Sequence, residues 1–419
     1  MNTIYDAIVI GAGQAGLATG YYLQQAGLRF VILEADDEPV GSWPHYYDSV
    51  ALNSPARYSS LPGLPFPGRA DHYPVRDEVT AYLRRYASHF QLPIITRAKV
   101  LNIDRAGRLF RVIIAGRGCY LARTVVAATG FFGRPNMPDL PGRDRYQGRV
   151  LHTADYHHPE PFRDQRVVIV GGANGAVHIG LELAQVANVT LATHRPIRYL
   201  PQTLLGQDIH FWLHLTGLDN RQWLGDKSML VYDNGEYKAR IAAGQPDRQP
   251  IFKCFTPDGV VWSDGRHDKV DAVIFGTGYR PHLPYLAGLG ALDETGYVLQ
   301  QQGVSTTVPG LYYVGLIRQR SVASTTIRGA GVDAKVVVRH LRRYGLAQQP
   351  AGSRALVRQS HAWATRSSEW IGLINMMRLA LKQQPITSPR LVGEALVRSA
   401  IVSAGFLGFG NATSLYSQR

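Results

Sequence analysis

Gly11, Gly13 and Gly16 fall at the first, third and sixth places of Gly11-Ala12-Gly13-Gln14-Ala15-Gly16, directly after the apolar run Tyr5–Ile10. Missing side chains do three jobs there. Gly11 allows a tight turn, Gly13 lets a pyrophosphate reach the main chain, and Gly16 lets the next helix pack close to the strand. The helix start then turns free N–H groups and a positive dipole end toward phosphate. The next strand, "RFVILEA", ends in Glu34, 23 residues after Gly11. A carboxylate at that place accepts hydrogen bonds from a ribose 2′-hydroxyl and repels a 2′-phosphate. The unit is expected to hold adenosine with free ribose hydroxyls, as in FAD or NAD, with Gln14 and Ala15 in its loop.

The pattern returns about 160 residues later, in "VVIVGGANGAVHIGLELA". Gly171, Ala173 and Ala176 take the three glycine places, and Gly175 lies between the last two. Asn174 tolerates unusual backbone angles and brings an amide to the turn. A helix is expected over Ala176–Val186, followed by the strand "NVTLATHRP". That strand ends in Thr193, His194 and Arg195, with Arg195 24 residues after Gly171. A guanidinium in the place of Glu34 makes charge-assisted, bidentate bonds to a phosphate. The second unit is expected to prefer NADPH, with Arg198 close by. FAD held by one unit and NADPH by the other fits the two strand tips.

These turns need a frame. "GRLFRVIIAGRGCYLARTVVAATG" predicts a β-meander with a turn near Gly116–Gly118, ending at Ala128-Thr129-Gly130. "KVDAVIFGTGYRP" repeats the ending at Gly276-Thr277-Gly278. A strand that stops at a small turn beside each dinucleotide suits close ligand packing and marks where the chain changes domain. A late strand over Val308–Leu316 and a Ser/Thr-capped helix ending near Leu341 return to the first domain, with the helix start aimed at the flavin. The expected class is α/β, with two Rossmann-like domains. The FAD domain covers 1–155 and 280–345, the NADPH domain is inserted at 156–279, and a mostly helical extension spans 346–419. Residues 199–265 hold an irregular, aromatic-rich insertion that either covers a substrate entrance or packs the domain.

The composition excludes several classes. The chain has 419 residues, is 45% hydrophobic, and carries a formal charge of +14. No run of 18 or more apolar residues suggests a membrane span. The strand begins at once, without a basic leader, so the cytoplasm is the expected location. Cys119 and Cys254 are the only cysteines and stand far apart, which removes a Cys-x-x-Cys couple and a cysteine-rich metal site. No metal site is expected. Basic charge without a helix-turn-helix, zinc-finger or RNA-recognition pattern does not make a nucleic-acid binder.

With these stretches in view, the chain resembles the class B flavin-dependent monooxygenases, the flavin-containing monooxygenase family. It is most similar to the bacterial group named for arsenic-resistance operons. The resemblance spans roughly 4–342 and rests on the two glycine units, "GSWPHYYDSVALNSPARYSSLPGLPFPG", "ATGFFGRPNMPDLPG", "GTGYRP" and "RSVASTTIRGAGVDA". The family motif Phe-x-Gly-x-x-x-His-x-x-x-Tyr/Phe is matched by "YQGRVLHTADY" through Tyr146, Gly148, His152 and Tyr156, with tyrosine replacing the first phenylalanine. The last position is tyrosine, where related Baeyer–Villiger enzymes usually carry tryptophan; this favours heteroatom oxygenation. The resemblance puts Asn53 beside the reactive edge of the flavin, Asn174 in the second glycine loop, and Trp43 near FAD. It leaves His152 either linking domains or working on the cofactors. Ser42, Val100 and Gln319 are expected to contact cofactor as well. Disulfide reductases of similar architecture end the late strand in Gly-Asp; here it ends Val314-Gly315-Leu316.

The implied cycle runs by hydride transfer from NADPH to FAD, addition of dioxygen at flavin C4a, and attack of a soft nucleophile on the distal oxygen. The nucleophile is an amine nitrogen, a thioether sulfur or an arsenic centre of a small molecule. Such a step needs positioning and water exclusion rather than an acid–base dyad or a metal. Two alternatives stay open: a flavoprotein reductase or oxidase acting on a quinone, dye or metal ion, and an FAD-based redox sensor without turnover. Beyond Tyr344 the resemblance stops. The tail has eight basic and two acidic residues, and Trp370, Leu373, Met377 and Leu381 share helical spacing. Docking on the body, peripheral contact with an anionic membrane and homodimer formation are all compatible with it.

Overall fold

The computed structural model describes residues 3–220 and 230–346. The tail, compatible with docking on the body, membrane contact or dimer formation, lies outside the described residues. Strand β1 (Ile4–Ile10), helix α1 (Gln14–Gln25) and strand β2 (Phe30–Leu33) form the first βαβ unit. Ile8, Val9 and every residue of β2 are buried, as a strand covered on both faces requires. Helix α2 (Arg76–His89) leads to the short β3 (Ile94–Ile95). The expected meander follows as β4 (Val100–Ala106), β5 (Leu109–Ile114) and β6 (Gly118–Ala127). Its antiparallel turns are glycine turns at positive φ, at Gly107, Gly116 and Gly118.

The chain then enters a second sheet with β7 (Arg149–His152) and β8 (Arg166–Val170), followed by α3 (Asn174–Leu183) and β9 (Asn188–Thr193). A small subassembly follows: β10 (Tyr199–Pro201), α4 (Ile209–Thr216) and β11 (Val231–Asp233). β12 (Asp247–Pro250) and β13 (Ala272–Phe275) complete the sheet. It is parallel throughout, in the order β12-β9-β8-β13-β7. The chain returns through β14 (Leu311–Tyr313) and α5 (Ile327–His340). β14 pairs parallel with β6, and β6 with β1, so the C-terminal part completes the first sheet.

The outcome corrects three boundaries. The second sheet begins at Arg149, ahead of the expected 156, because β7 pairs with β13 rather than with any strand of the first sheet. α3 begins at Asn174, two residues before the expected Ala176. The late strand is confined to Leu311–Tyr313: Pro309-Gly310 precede it, and Gly315 at φ +90° turns the chain away. Between the sheets the two crossovers are zipped together, Arg134–Pro135 pairing antiparallel with Tyr279–Arg280. No helix among the described residues is long and apolar enough to cross a membrane.

Candidate functional site

The first glycine turn is built as its spacing requires. Gly11 has φ +98°, and a Cβ on it would lie 2.7 Å from the Ala128 carbonyl oxygen. A Cβ on Gly16 would lie 1.8 Å from the Gly11 oxygen, so the helix seats on the strand only with glycine there. Gly13 is the N-cap of α1 and no side chain caps that helix. By contrast, Asp208 accepts from His210 N at the start of α4, and Thr326 accepts from Gly329 N at the start of α5. The uncapped first turn of α1 leaves its N–H groups for an anion. Glu34 is 6% exposed. One carboxylate oxygen accepts from Ala12 N at 2.6 Å and the other from Asp36 N at 3.2 Å. Burial raises its pKa, against the lowering effect of these N–H donors.

A cavity of about 390 Å³ opens over this turn. It is lined by Gly11, Gly13, Gln14, Ala15, Glu34, Ser42, Val100, Ala128, Thr129 and Gly130, all named from the sequence. Its other walls were not singled out as cofactor contacts, although all but Tyr285 fall in stretches quoted above. Gly41, Tyr46, Phe131, Phe132, Tyr285, Gly315 and Thr325 all line it. Gly41 has φ +60° and a Cβ on it would come within 2.7 Å of Gly13 Cα. Gly41 sits beside Ser42-Trp43 in the sequence, which is the only hint of its place. Thr129 and Tyr285 share a hydroxyl hydrogen bond of 2.9 Å. Trp43 stands behind the wall and donates from Nε1 to Gln14 Oε1 at 3.0 Å. These residues fit an FAD: a carboxylate for the ribose, a bare glycine pair for the pyrophosphate, an uncapped helix start and an aromatic wall.

Gln319 is placed differently from the expectation. It is 2% exposed; its Nε2 donates to the Tyr313 carbonyl at 2.8 Å and its Oε1 accepts from Leu316 N at 3.4 Å. Each end of the amide bonds main chain of the loop after β14, and Gln319 is not among the residues that line the cavity.

The second turn repeats the plan with one exchange. Gly171 lies at φ +144°, with Gly276 O 2.3 Å from its hypothetical Cβ. Ala176 carries a methyl where the first unit has none, and the fit is restored because Gly276 has no side chain: a Cβ there would meet Ala176 Cβ at 2.6 Å. Ala173 is the N-cap of α3, again without side-chain capping. Gly175 faces open space. Thr193 is buried at the end of β9, and His194 and Arg195 are exposed just beyond it. No carboxylate pairs with Arg195 among the described residues. Asn174 does not present a free amide: its Nδ2 donates to Leu230 O at 3.4 Å and its Oδ1 accepts from Tyr232 N at 3.1 Å. It ties α3 to β11.

The motif around His152 holds the second domain together. Tyr146 donates its hydroxyl to Val270 O at 2.7 Å, a bond that phenylalanine at this position lacks. A Cβ on Gly148 would lie 2.3 Å from that hydroxyl. His152 is fully buried. Its Nε2 faces Gly278 O at 3.0 Å and its Nδ1 accepts from Ala154 N at 3.1 Å. These partners specify the neutral ring with hydrogen on Nε2, and burial lowers its pKa. With both nitrogens engaged by main chain, His152 links β7 to the Gly276-Thr277-Gly278 turn and has none left for a cofactor. Thr277 likewise bonds Asn136 O in the zipped crossover, and Gly278 O accepts from Asn136 N at 2.9 Å. Tyr156 donates to Glu182 on α3 at 2.6 Å.

The aromatic insertion folds over the first domain. Gln202 donates to Asn53 O at 3.0 Å and to Asp208 at 2.8 Å, and Tyr73 donates to the same Asp208 oxygen. Burial alone would raise the Asp208 pKa; the bonds from His210, Tyr73 and Gln202 outweigh it and hold the carboxyl below its ordinary range. His210 stacks between Tyr58 and Tyr232, with centroids 6.4 and 5.4 Å away. On the far side Asp219 pairs with Arg328 in the first turn of α5. The insertion therefore lies across the Asn53 loop and the start of α5.

The match to known proteins covers this whole arrangement. Residues 8–315 match the family of pyridine nucleotide-disulphide oxidoreductases. A CzcO-like oxidoreductase of Geobacillus kaustophilus is 33% identical over 347 residues, covering 81% of this chain and 98% of its own. The indole-3-pyruvate monooxygenase YUCCA4 of rice is 27% identical, covering 80% of this chain and 87% of its own. A solved flavin-containing monooxygenase from Stenotrophomonas maltophilia is 34% identical, with a TM-score of 0.73, covering 82% of this chain and 99% of that one. Cys119 and Cys254 are both free and neither lines the cavity, so no dithiol couple stands there. By fold, turn chemistry and kinship, this chain belongs to the pyridine nucleotide-disulphide oxidoreductase family and, within it, to the class B flavin-dependent monooxygenases, enzymes of FAD and NADPH.

Proposed function

We propose that this monooxygenase oxygenates a soft nucleophile of a small molecule: an amine nitrogen, a thioether sulfur or an arsenic centre. The observation that carries the reading is the insertion latched over Asn53 by Gln202 and by the Tyr73–Asp208 bond. When bound, FAD supplies hydride acceptance from NADPH and activation of dioxygen; the protein supplies everything around it. Glu34 takes the FAD ribose, Gly13 and Gly41 give the pyrophosphate its bare surface, and Trp43 fixes Gln14 at the loop. Arg195 takes the phosphate of NADPH at the tip of β9. Asn53 offers an amide at the reactive edge. The insertion closes this edge from the Asn53 loop to Arg328, excluding water while leaving the substrate to be positioned rather than protonated. No acid–base pair is needed, in keeping with the main-chain duties of His152. The rice relative is named for a small organic acid, indole-3-pyruvate, and a small-molecule substrate goes with this reading, as does the cytoplasm, where NADPH is supplied.

The test uses purified holoprotein with NADPH, heavy-isotope dioxygen and a panel of methyl sulfides, tertiary amines and trivalent organoarsenicals. One heavy oxygen in the product, close to one per NADPH consumed, is the expected result. Peroxide matching NADPH with every compound would replace the reading with that of a reductase or oxidase. Bound flavin that NADPH never reduces would leave only the sensor.

A further inference from the structure

Arg248 enters the second dinucleotide site from a strand that carries no recognisable motif. β12 runs parallel to β9 with Leu191 opposite Arg248 and Thr193 opposite Pro250. Alternation along β9 puts Leu191 and Thr193 on one face. Leu191 packs there with Ala176, Val177 and Ile179 of α3, so this is the face of the glycine turn. Arg248 shares it and reaches forward along the sheet, donating from Nε to Thr193 Oγ1 at 3.1 Å. A Cβ on Gly172 would lie 3.4 Å from Thr193 Cγ2, so turn, threonine and arginine converge. Asp247 and Gln249, which bond each other at 2.8 Å, alternate to the opposite face. Arg248 has no carboxylate partner among the described residues, and neither does Arg195.

We propose that Arg248 is a specificity-determining residue for NADPH, the second cation of the 2′-phosphate site, facing Arg195 across the tip of β9 and oriented by Thr193. The bond through Nε leaves both terminal nitrogens of the guanidinium available, and these form the fork that binds phosphate oxygens. Two cations at a parallel strand end, neither paired with a carboxylate among the described residues, select a dianionic phosphate over a free hydroxyl. The strand ends are also where ligands bind in open α/β sheets.

This rests on the reading of the second unit as the NADPH site, and the test separates the two. FAD-loaded protein is titrated by calorimetry with 2′,5′-ADP and with 5′-ADP, without turnover. Wild type is expected to bind 2′,5′-ADP more tightly. Arg248→Ala should weaken 2′,5′-ADP about tenfold, the loss of one charge-assisted contact, and leave 5′-ADP unchanged. Arg248→Lys should retain part of the preference, and Thr193→Val should lose part of it with Arg248 intact. If Arg248→Ala weakens both nucleotides equally, or neither, the proposal is overturned while the site stands. If wild type does not distinguish the two nucleotides, the phosphate reading of the whole unit falls with it.

Discussion

Gly41 stands with its Cα against Gly13: a Cβ on Gly41 would lie 2.7 Å from Gly13 Cα, and the backbone there has φ +60°. Two segments 28 residues apart in the chain thus meet where the first dinucleotide must pass. Gly41→Ala forces either the loop or the turn to move. Its expected cost is about 1–3 kcal/mol, the usual range for overpacking. Purified variant should carry substoichiometric flavin, read from the flavin-to-protein absorbance ratio, and melt at lower temperature. Full flavin loading with an unchanged melting point would show that this contact does not shape the site.

Glu34 serves as an acceptor and must be charged to do so fully. Glu34→Gln keeps the shape and loses the charge. FAD should bind about tenfold more weakly, by loss of a hydrogen bond to a charged group. Because burial raises the Glu34 pKa, the carboxyl takes up its proton at a higher pH than an ordinary glutamate. Wild-type FAD affinity should therefore fall as pH drops toward that raised value. The variant should lack this fall, as equilibrium dialysis at a series of pH values will show.

Arg195 lies exposed at the end of β9. Arg195→Ala should raise KM for NADPH about tenfold while KM for NADH stays the same, since only NADPH carries the lost phosphate contact. Steady-state kinetics with both nucleotides decide it. Equal loss with both would move the phosphate site elsewhere.

Asp208 is the clasp of the insertion, taking bonds from Tyr73, Gln202 and His210. Asp208→Asn puts an NH2 donor in place of one acceptor oxygen, facing groups that themselves donate, and should free the insertion. More hydrogen peroxide per NADPH and faster proteolytic cutting within 199–220 are the expected outcomes. If peroxide yield and cutting are unchanged, the insertion does not guard the oxygenation site.

His178 on α3 packs against Tyr237 with Nε2 buried and unbonded. Burial lowers its pKa from 6.5 to about 4. Below pH 6.5 the unfolded chain takes up a proton that the folded one refuses, so stability is lost as pH falls from 6.5 toward 4. His178→Leu should flatten that part of the melting-temperature profile. An unaltered slope would assign the acid sensitivity to other groups, such as His152 and His340, whose pKa values burial also lowers.

Much of this protein was legible in order of residues alone. A glycine at Gly11 or Gly16 and an apolar run before it are local facts, and local sterics dictate the strand–turn–helix that follows. The charge at Glu34 and at Arg195 needed only a count along the chain. What tertiary structure decided were partnerships between distant segments. Gly41 meets Gly13, Gly276 makes room for Ala176, Arg248 reaches Thr193, and Gln202 reaches Asn53; no spacing rule links these positions. Structure also decided which polar groups are already spent. His152, Asn174 and Gln319 have residue types fit for chemistry, yet each bonds main-chain groups: burial obliges it for His152 and Gln319, and the join between α3 and β11 takes the amide of Asn174. A sequence states what a side chain is able to bond; only packing determines what remains for a ligand after the fold has taken its share.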